Sequence, residues 1–266
     1  MGPCAACWQG ASAVAADPPT RDPWGRLRQA TPARIGLGRV GDAPPVSAML
    51  DFQLAHARAR DAVHTPLDVE ALKSALDGLP QVTVRSLAPD RATYLRRPDL
   101  GRSLDPDGLE QLPAGDWDLV LVLADGLSAR AVQQHAPKLL RALMPKLSGW
   151  KVAPVVIATQ GRVALGDEIG GALGANLCAV LIGERPGLSV ADSLGVYLTY
   201  EPRPGRRDSE RNCISNIHPA GGLSPEAAAA KLAWLMTEAR HRRLTGVELK
   251  DDAPALDAAA PPVIEG

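Results

Sequence analysis

The chain has 266 residues, a formal net charge of −1 at pH 7 and only 3% aromatic residues. A chain of this length buries about three quarters of the surface exposed by its unfolded form, so a substantial aliphatic core is available. The balanced charge excludes the basic face that nucleic-acid binding requires, and the scarcity of rings excludes single-strand binding by base stacking. No apolar run reaches the roughly 18 residues of a membrane span, and residues 1–20 lack a signal-peptide pattern, which predicts a cytoplasmic protein.

The Ala-, Pro- and Gly-rich start of the chain predicts a disordered leader over residues 1–22. It contains the C-x-x-C pair Cys4 and Cys7, but a structural zinc site needs four ligands and no second pair follows at a suitable spacing. A thioredoxin-like motif would need a βαβ context, which the leader lacks. At the other end, residues 251–266 are predicted to form a flexible tail.

Residues 23–115 are predicted to form a mostly helical N-terminal lobe, with helices at 46–63 and 67–76 and a strand at 82–87. Residues 36–41 form a literal G-x-G-x-x-G. A dinucleotide fingerprint needs a strand before the first glycine and a helix opening at the second, whereas here two prolines follow. A loop whose glycines permit close backbone approach is the favoured interpretation, and nicotinamide binding is the minor alternative.

Residues 116–250 are predicted to form an α/β domain, because short apolar runs alternate with amphipathic segments. The predicted strands are 119–123, 155–159, 177–182, 193–200 and 213–217, and the predicted helices are 128–147, 167–173 and one from the N-cap Ser224 to a stop at Gly246. The alternation predicts a Rossmann-like parallel sheet with helices on both faces, joined by right-handed crossovers.

Three polar loops each follow a predicted strand, at 125–126, 160–162 and 183–185. Because the carboxyl ends of parallel strands meet at one edge, we expect these loops to lie together where α/β proteins bind ligands. Glu184 and Arg185 alone could form a surface ion pair worth about 0 to 1 kcal/mol, which gives no reason for the flanking glycines and proline. The site is therefore expected at the loop that contains Glu184.

The other reactive side chains form no catalytic or metal constellation. His56 and His64 fall near one face of the first long helix, but no third ligand follows by spacing. Cys178 lies in an apolar strand and is predicted to be a core residue, and Cys213 taken alone has the same interpretation. No catalytic residue and no metal ligand is assigned.

An ordered series of motifs resembles the small (light) subunit of ethanolamine ammonia-lyase. The series is a helical stretch at 52–64, TQGRV at 159–163, GERPG at 183–187 and CISNIH at 213–218, and the resemblance runs from about Arg34 to Gly246. The resemblance implies an adenosylcobalamin-dependent radical enzyme of two subunits that converts ethanolamine to acetaldehyde and ammonia. Because the cofactor performs the hard step, the lack of a general-base constellation is no argument against an enzyme subunit.

The resemblance also implies a division of labour within a hetero-oligomer, in which a large TIM-barrel subunit holds the substrate and the small subunit covers the cobalamin at their interface. Carried over by position, Val163, Glu184 and Cys213 are the expected cobalamin contacts. The implied location is the cytoplasm or a bacterial microcompartment within it. Two alternatives stay open: a stand-alone nucleotide-binding α/β oxidoreductase, and a structural subunit that never touches the cofactor.

Overall fold

The structure is a computed structural model that describes residues 23–31, 33–76 and 78–252. The predicted leader, with Cys4 and Cys7, and residues 253–266 of the predicted tail lie outside the described residues. The chain divides into two compact units between Asp51 and Phe52. The sheet and every candidate site residue belong to the second unit.

The predicted helices and strands are present, with ends shifted by a few residues. The helices are α1 Gly25–Ala30, α2 Val46–His64, α3 Val69–Ala75, α4 Arg91–Arg96, α5 Pro106–Leu109, α6 Ala129–Leu143, α7 Leu165–Leu173 and α8 Pro225–Arg242. The strands are β1 Gln81–Arg85, β2 Trp117–Ala124, β3 Val155–Thr159, β4 Ala175–Gly183, β5 Leu194–Tyr200 and β6 Arg211–Ile217. The last helix ends before the predicted Gly246, because Arg243 takes the left-handed conformation at φ 58° and caps it.

All six strands form one sheet, in the order β1-β3-β2-β4-β5-β6. The first four are mutually parallel, whereas β5 runs antiparallel to β4 and β6 runs antiparallel to β5. The α/β class is confirmed, but the predicted Rossmann-like parallel sheet is wrong, because the sheet is mixed. Residues 184–193 alone join β4 to β5 without a helix, and a parallel crossover needs a dozen or more residues, usually including one.

Helices cover the two faces of the sheet unequally. One face packs against α6 and α8, which also reach β5 and β6, while α7 packs on the other face against β2 and β4. Gly166 allows α7 to approach closely, since a Cβ there would lie 2.3 Å from the Val180 side chain. On this face α7 reaches β6 where Asp167 contacts Arg211, and Cys213, two residues further along β6, is exposed.

Residues 36–41 form a loop, as expected from the prolines that follow. Helix α1 rather than a strand precedes Gly36, and α2 begins only at Val46. Gly36, Gly38 and Gly41 all have positive φ, so the glycines serve backbone turns. The strand-turn-helix geometry of a dinucleotide fingerprint is therefore missing from this loop. None of the helices in the described ranges is both long and apolar enough to cross a membrane.

Candidate functional site

The loops after β2, β3 and β4 meet at one edge of the sheet, as predicted. Asp125 accepts hydrogen bonds from the backbone N–H groups of Gln160 at 3.0 Å and Gly161 at 2.9 Å. Gly126 packs directly on Gly183, because a Cβ on Gly126 would lie 2.3 Å from the Gly183 carbonyl oxygen. The loops therefore satisfy one another's polar groups. They also fill the space above the carboxyl ends of β2 and β4.

Helix α4 fills more of this edge through the buried side chain of Tyr94. The Tyr94 hydroxyl donates to the Gly161 carbonyl at 3.1 Å, and burial raises the pKa of Tyr94 to about 12. The guanidinium groups of Arg91 and Arg162 both stack on the Tyr94 ring, 4.8 Å and 4.4 Å from its centre. The carboxyl edge of the parallel strands is therefore occupied by the chain itself, and the accessible polar groups lie to the side, at β5 and β6.

Glu184 points toward those two antiparallel strands and not toward Arg185. Its Oε2 accepts a hydrogen bond from the Ser193 hydroxyl at 2.5 Å and another from the Asn216 N–H at 3.3 Å. Within the described residues its Oε1 accepts no hydrogen bond, and Arg185 is exposed without an ion pair. The simple surface pair considered from the sequence does not form. Instead, one carboxylate oxygen is fixed, and the other remains free to accept a hydrogen bond.

Gly195 provides the space for this carboxylate. A Cβ at Gly195 would lie 2.9 Å from Glu184 Oε1, so any larger residue would displace the acid. Two residues further along β5, on the same face of the strand, lies Tyr197. The strand therefore places an aromatic side chain on the same face as the space that holds Glu184, and the two groups interact electrostatically.

Tyr197 and Cys213 are directly opposite each other across the antiparallel pair β5–β6. Burial and the neighbouring Cys213 thiol raise the pKa of Tyr197 to about 12. Partial burial likewise raises the pKa of Cys213, and a hydrogen bond from Tyr197 opposes that shift. Both groups are thus neutral near pH 7. Cys178 is buried in β4, as predicted, but the burial expected for Cys213 from its sequence alone is wrong.

Val163 lies in the turn before α7. Together with Tyr197 it lines one cavity of about 350 Å³. Cys213 also borders a second cavity, of about 470 Å³, which follows β6. Tyr197 therefore links all three residues predicted to contact cobalamin: it shares a cavity with Val163, lies opposite Cys213 in the β5–β6 pair, and interacts electrostatically with Glu184.

A buried ion pair ties β6 to α7. Arg211 donates to both carboxylate oxygens of Asp167 at 2.7 Å and to the Thr199 hydroxyl at 2.8 Å. The side chains of Arg211 and Asp167 are 2% and 3% exposed. Because Arg211 is two residues from Cys213 and Asp167 is four residues from Val163, the pair fixes the two sides of the candidate site relative to each other.

Sequence reasoning missed Tyr197, Gly195 and the ion pair. The alternation along β5 places Tyr197 and Gly195 on one face, which is a usable signal, but their neighbours depend on the antiparallel register with β6. Within the described ranges, no group of three or more His, Cys, Asp or Glu side chains could hold a metal ion. His56 and His64 are exposed on α2, where the His56 ring stacks with Phe52.

The comparisons with known proteins agree on one family. The family described as "Ethanolamine ammonia-lyase light chain (EutC)" matches residues 21–250. Curated relatives described as ethanolamine ammonia-lyase small subunit include one from Azotobacter vinelandii, 54% identical over 89% of this chain and 91% of its own. Others are from Rhodopseudomonas palustris, 56% identical over 88% and 91%, and Rhodococcus erythropolis, 52% identical over 91% and 95%. The resemblance inferred from the motifs is confirmed, and the chain belongs to the light-chain (small-subunit) family of ethanolamine ammonia-lyase, a carbon–nitrogen lyase.

Proposed function

We propose that this chain binds adenosylcobalamin at an interface with a large catalytic subunit, as the small subunit of an enzyme that converts ethanolamine to acetaldehyde and ammonia. The observation that carries the proposal is the Glu184 carboxylate. Ser193 fixes one of its oxygens, and the other accepts no hydrogen bond from the described residues. A carboxylate that is fixed through one oxygen can accept a hydrogen bond from a ligand through the other. Glu184 lies beside β5 and β6, where Cys213 is exposed.

The residues around Glu184 fit the chemistry of a corrin. Corrin carries peripheral amides, apolar ring edges and a nucleotide tail. Glu184 supplies an acceptor for the amides, and a hydrogen bond to a charged group contributes about 1.5 to 3 kcal/mol. Val163 supplies an apolar contact, while the Tyr197 hydroxyl and the Cys213 thiol are neutral near pH 7. These four side chains can therefore hold an amide-rich, partly apolar ligand, with the Glu184 carboxylate as the one charged group and the ligand amides as its donors.

The bound cofactor would supply radical chemistry, beginning with homolysis of its cobalt–carbon bond. The residues of this chain then need only bind, orient and shield. Glu184 fixes the orientation of the corrin periphery, and the β5–β6 surface with Val163 excludes water from one side of it. The substrate would be held by the large subunit, which we expect to be a TIM barrel. The isolated chain is accordingly expected to have no turnover with ethanolamine and adenosylcobalamin.

Titration of adenosylcobalamin into the purified two-subunit complex, followed by visible absorbance, tests the proposal. Glu184→Ala should raise the Kd about 10- to 100-fold, because corrin amides lose an acceptor at about 1 to 3 kcal/mol. Arg185→Ala is the matched control, since Arg185 is the exposed neighbour in the same loop. An unchanged Kd for Glu184→Ala in a folded complex would show that the loop is only a turn.

The same titration separates the alternatives. A structural subunit without cofactor contact predicts equal cobalamin affinity for wild type, Glu184→Ala and Arg185→Ala. A stand-alone oxidoreductase predicts binding of a nicotinamide cofactor by the isolated chain, for which the loop at 36–41 offers no helix N-terminus. The proposed location is the cytoplasm, or a bacterial microcompartment within it, as the family resemblance implies.

A further inference from the structure

The cavity that contains Val163 and Tyr197 is rich in arginine. Four arginines line it: Arg102, Arg162, Arg206 and Arg207. They come from three separate parts of the chain, namely the 3-10 turn after α4, the loop after β3 and the connection between β5 and β6. We call this space the arginine cavity. Side chains of like charge repel one another, so their convergence favours an anionic ligand between them.

The arginine cavity keeps a net positive charge after its internal ion pairs are taken into account. Arg206 is neutralised by Glu210 at 2.5 Å and lies 3.6 Å from Glu201. Arg102 and Arg207 form no ion pair within the part of the chain that the structure describes. The one acid in the lining, Asp208, is 96% exposed and lies 3.7 Å from Arg211, outside the lining. At least three arginines therefore face a single, solvent-screened carboxylate.

Arg162 is held in place, but its Nε–H has no acceptor among the described residues. Its guanidinium stacks on the Tyr94 ring at 4.4 Å and donates through Nη2 to the Tyr94 carbonyl at 3.4 Å. Its backbone N–H donates to the Gly101 carbonyl at 2.7 Å. Its Nε is buried and has no hydrogen-bond partner. A buried charged donor without an acceptor is costly, and an anionic group beside this guanidinium would offset that cost.

We propose that the arginine cavity binds a phosphate group, and that this group is the phosphodiester in the nucleotide tail of the same cobalamin. The inference rests on the proposed function. Guanidinium groups match phosphate oxygens in geometry and charge. A volume of about 350 Å³ falls in the range of small-ligand sites and exceeds the space of one phosphate, which leaves room for the attached sugar. Tyr197 lines the cavity and interacts electrostatically with Glu184, so one ligand can reach both.

Three corrinoids isolate the contribution of the phosphate. Adenosylcobinamide lacks the phosphate, the ribose and the benzimidazole, adenosylcobinamide phosphate regains the phosphate alone, and adenosylcobalamin is complete. Each is titrated into the two-subunit complex, with the Kd read from absorbance or calorimetry. The test variant is Arg102→Ala/Arg207→Ala, whose two side chains are exposed and unpaired. The control is Arg203→Ala, an exposed arginine of the same β5–β6 connection that pairs with Glu201 and does not line the cavity.

The double variant should bind adenosylcobinamide phosphate and adenosylcobalamin at least about tenfold more weakly, while its affinity for adenosylcobinamide stays unchanged. Arg203→Ala should match the wild type with all three. Inorganic phosphate should compete with adenosylcobinamide phosphate in the wild type, and that competition should be lost in the double variant. Equal losses for adenosylcobinamide and its phosphate would overturn the proposal, since the arginines would then act only through the fold.

Three further outcomes would also overturn it. Inorganic phosphate that binds the arginine cavity while adenosylcobalamin is already bound would show that the ligand is a free anion and not the cofactor's tail. A double variant with wild-type affinities, alongside a weakened Glu184→Ala, would reject the arginine cavity and leave the proposed function intact. A wild-type complex that binds none of the three corrinoids would reject both.

Discussion

The parallel and antiparallel halves of the sheet meet at β4, and a carboxylate follows β2, inside the parallel half, while another follows β4 itself. Asp125, after β2, is 2% exposed and both of its oxygens accept backbone N–H groups of the neighbouring loop. Glu184, after β4, is half-buried and has an oxygen that the described residues leave unbound. Position after a strand is therefore not what makes a carboxylate available. Availability depends on whether a helix and the adjacent loops cover that part of the sheet, as α4 and α7 do in the parallel half.

The largest expected effect comes from the ion pair that joins the two halves. Asp167→Ala should lower the free energy of unfolding by about 3 to 5 kcal/mol, because it leaves the Arg211 guanidinium buried without its carboxylate. Denaturant unfolding of the chain measures this. Asp116→Ala is the control, since Asp116 forms an exposed ion pair with Lys151 at 2.7 Å and should leave the unfolding midpoint unchanged. Equal midpoints for the two variants would mean that the halves are not joined at Asp167.

Asp125→Ala should destabilise the chain by about 1 to 3 kcal/mol, because the N–H groups of Gln160 and Gly161 lose their acceptor in a buried position. Once folded, this variant should retain the cobalamin affinity of the wild type. Glu184→Ala should show the opposite pattern, with weak cofactor binding and a nearly unchanged free energy of unfolding. Parallel denaturation and cobalamin titration of the two variants gives the comparison. Matching profiles would contradict the distinction between a structural and a ligand-binding carboxylate.

The sequence predicts most of the secondary structure, since the alternation of apolar runs and amphipathic segments is a local property. It also predicts that the loop containing Glu184 belongs to the candidate site, because glycines and a proline around a charged pair are hard to explain as a simple turn. It does not predict the direction of β5, which depends on the helix-free connection at 184–193. Tyr197 and the contact of Arg211 with Asp167 follow from that direction and its register, so they could not be located from local patterns alone.

Gly195→Ala tests whether the space beneath Glu184 matters for binding. The added Cβ would lie 2.9 Å from Oε1 and should displace the carboxylate, which would weaken cobalamin binding about fivefold to tenfold. The fold should tolerate the change, because the closest atom is the end of a flexible side chain and Gly195 does not have positive φ. A double-mutant cycle supplies the control: in a Glu184→Ala background, Gly195→Ala should cause no further loss. A full additional loss there would show that Gly195 acts independently of the acid.

The smallest effect concerns the Cys213 thiol, which is exposed in the antiparallel half of the sheet, whereas the Cys178 thiol is buried in the parallel half. Cys213 is exposed and Cys178 is buried, so alkylation of the folded chain, mapped by peptide mass spectrometry, should modify Cys213 and spare Cys178. The Cys213 pKa is raised, mainly by partial burial, so its thiolate forms at higher pH and its rate should lag that of a small free thiol below about pH 9.

Tyr197→Phe should slow this reaction further, by less than about tenfold. The hydrogen bond from Tyr197 lowers the Cys213 pKa, so its loss raises that pKa and reduces the thiolate fraction at a given pH. Tyr200→Phe, in the same strand but without a contact to the thiol among the described residues, is the control. A faster reaction in Tyr197→Phe would mean that the tyrosine shields the thiol from reagent and does not stabilise its thiolate, and the pairing across β5–β6 would then act through access alone.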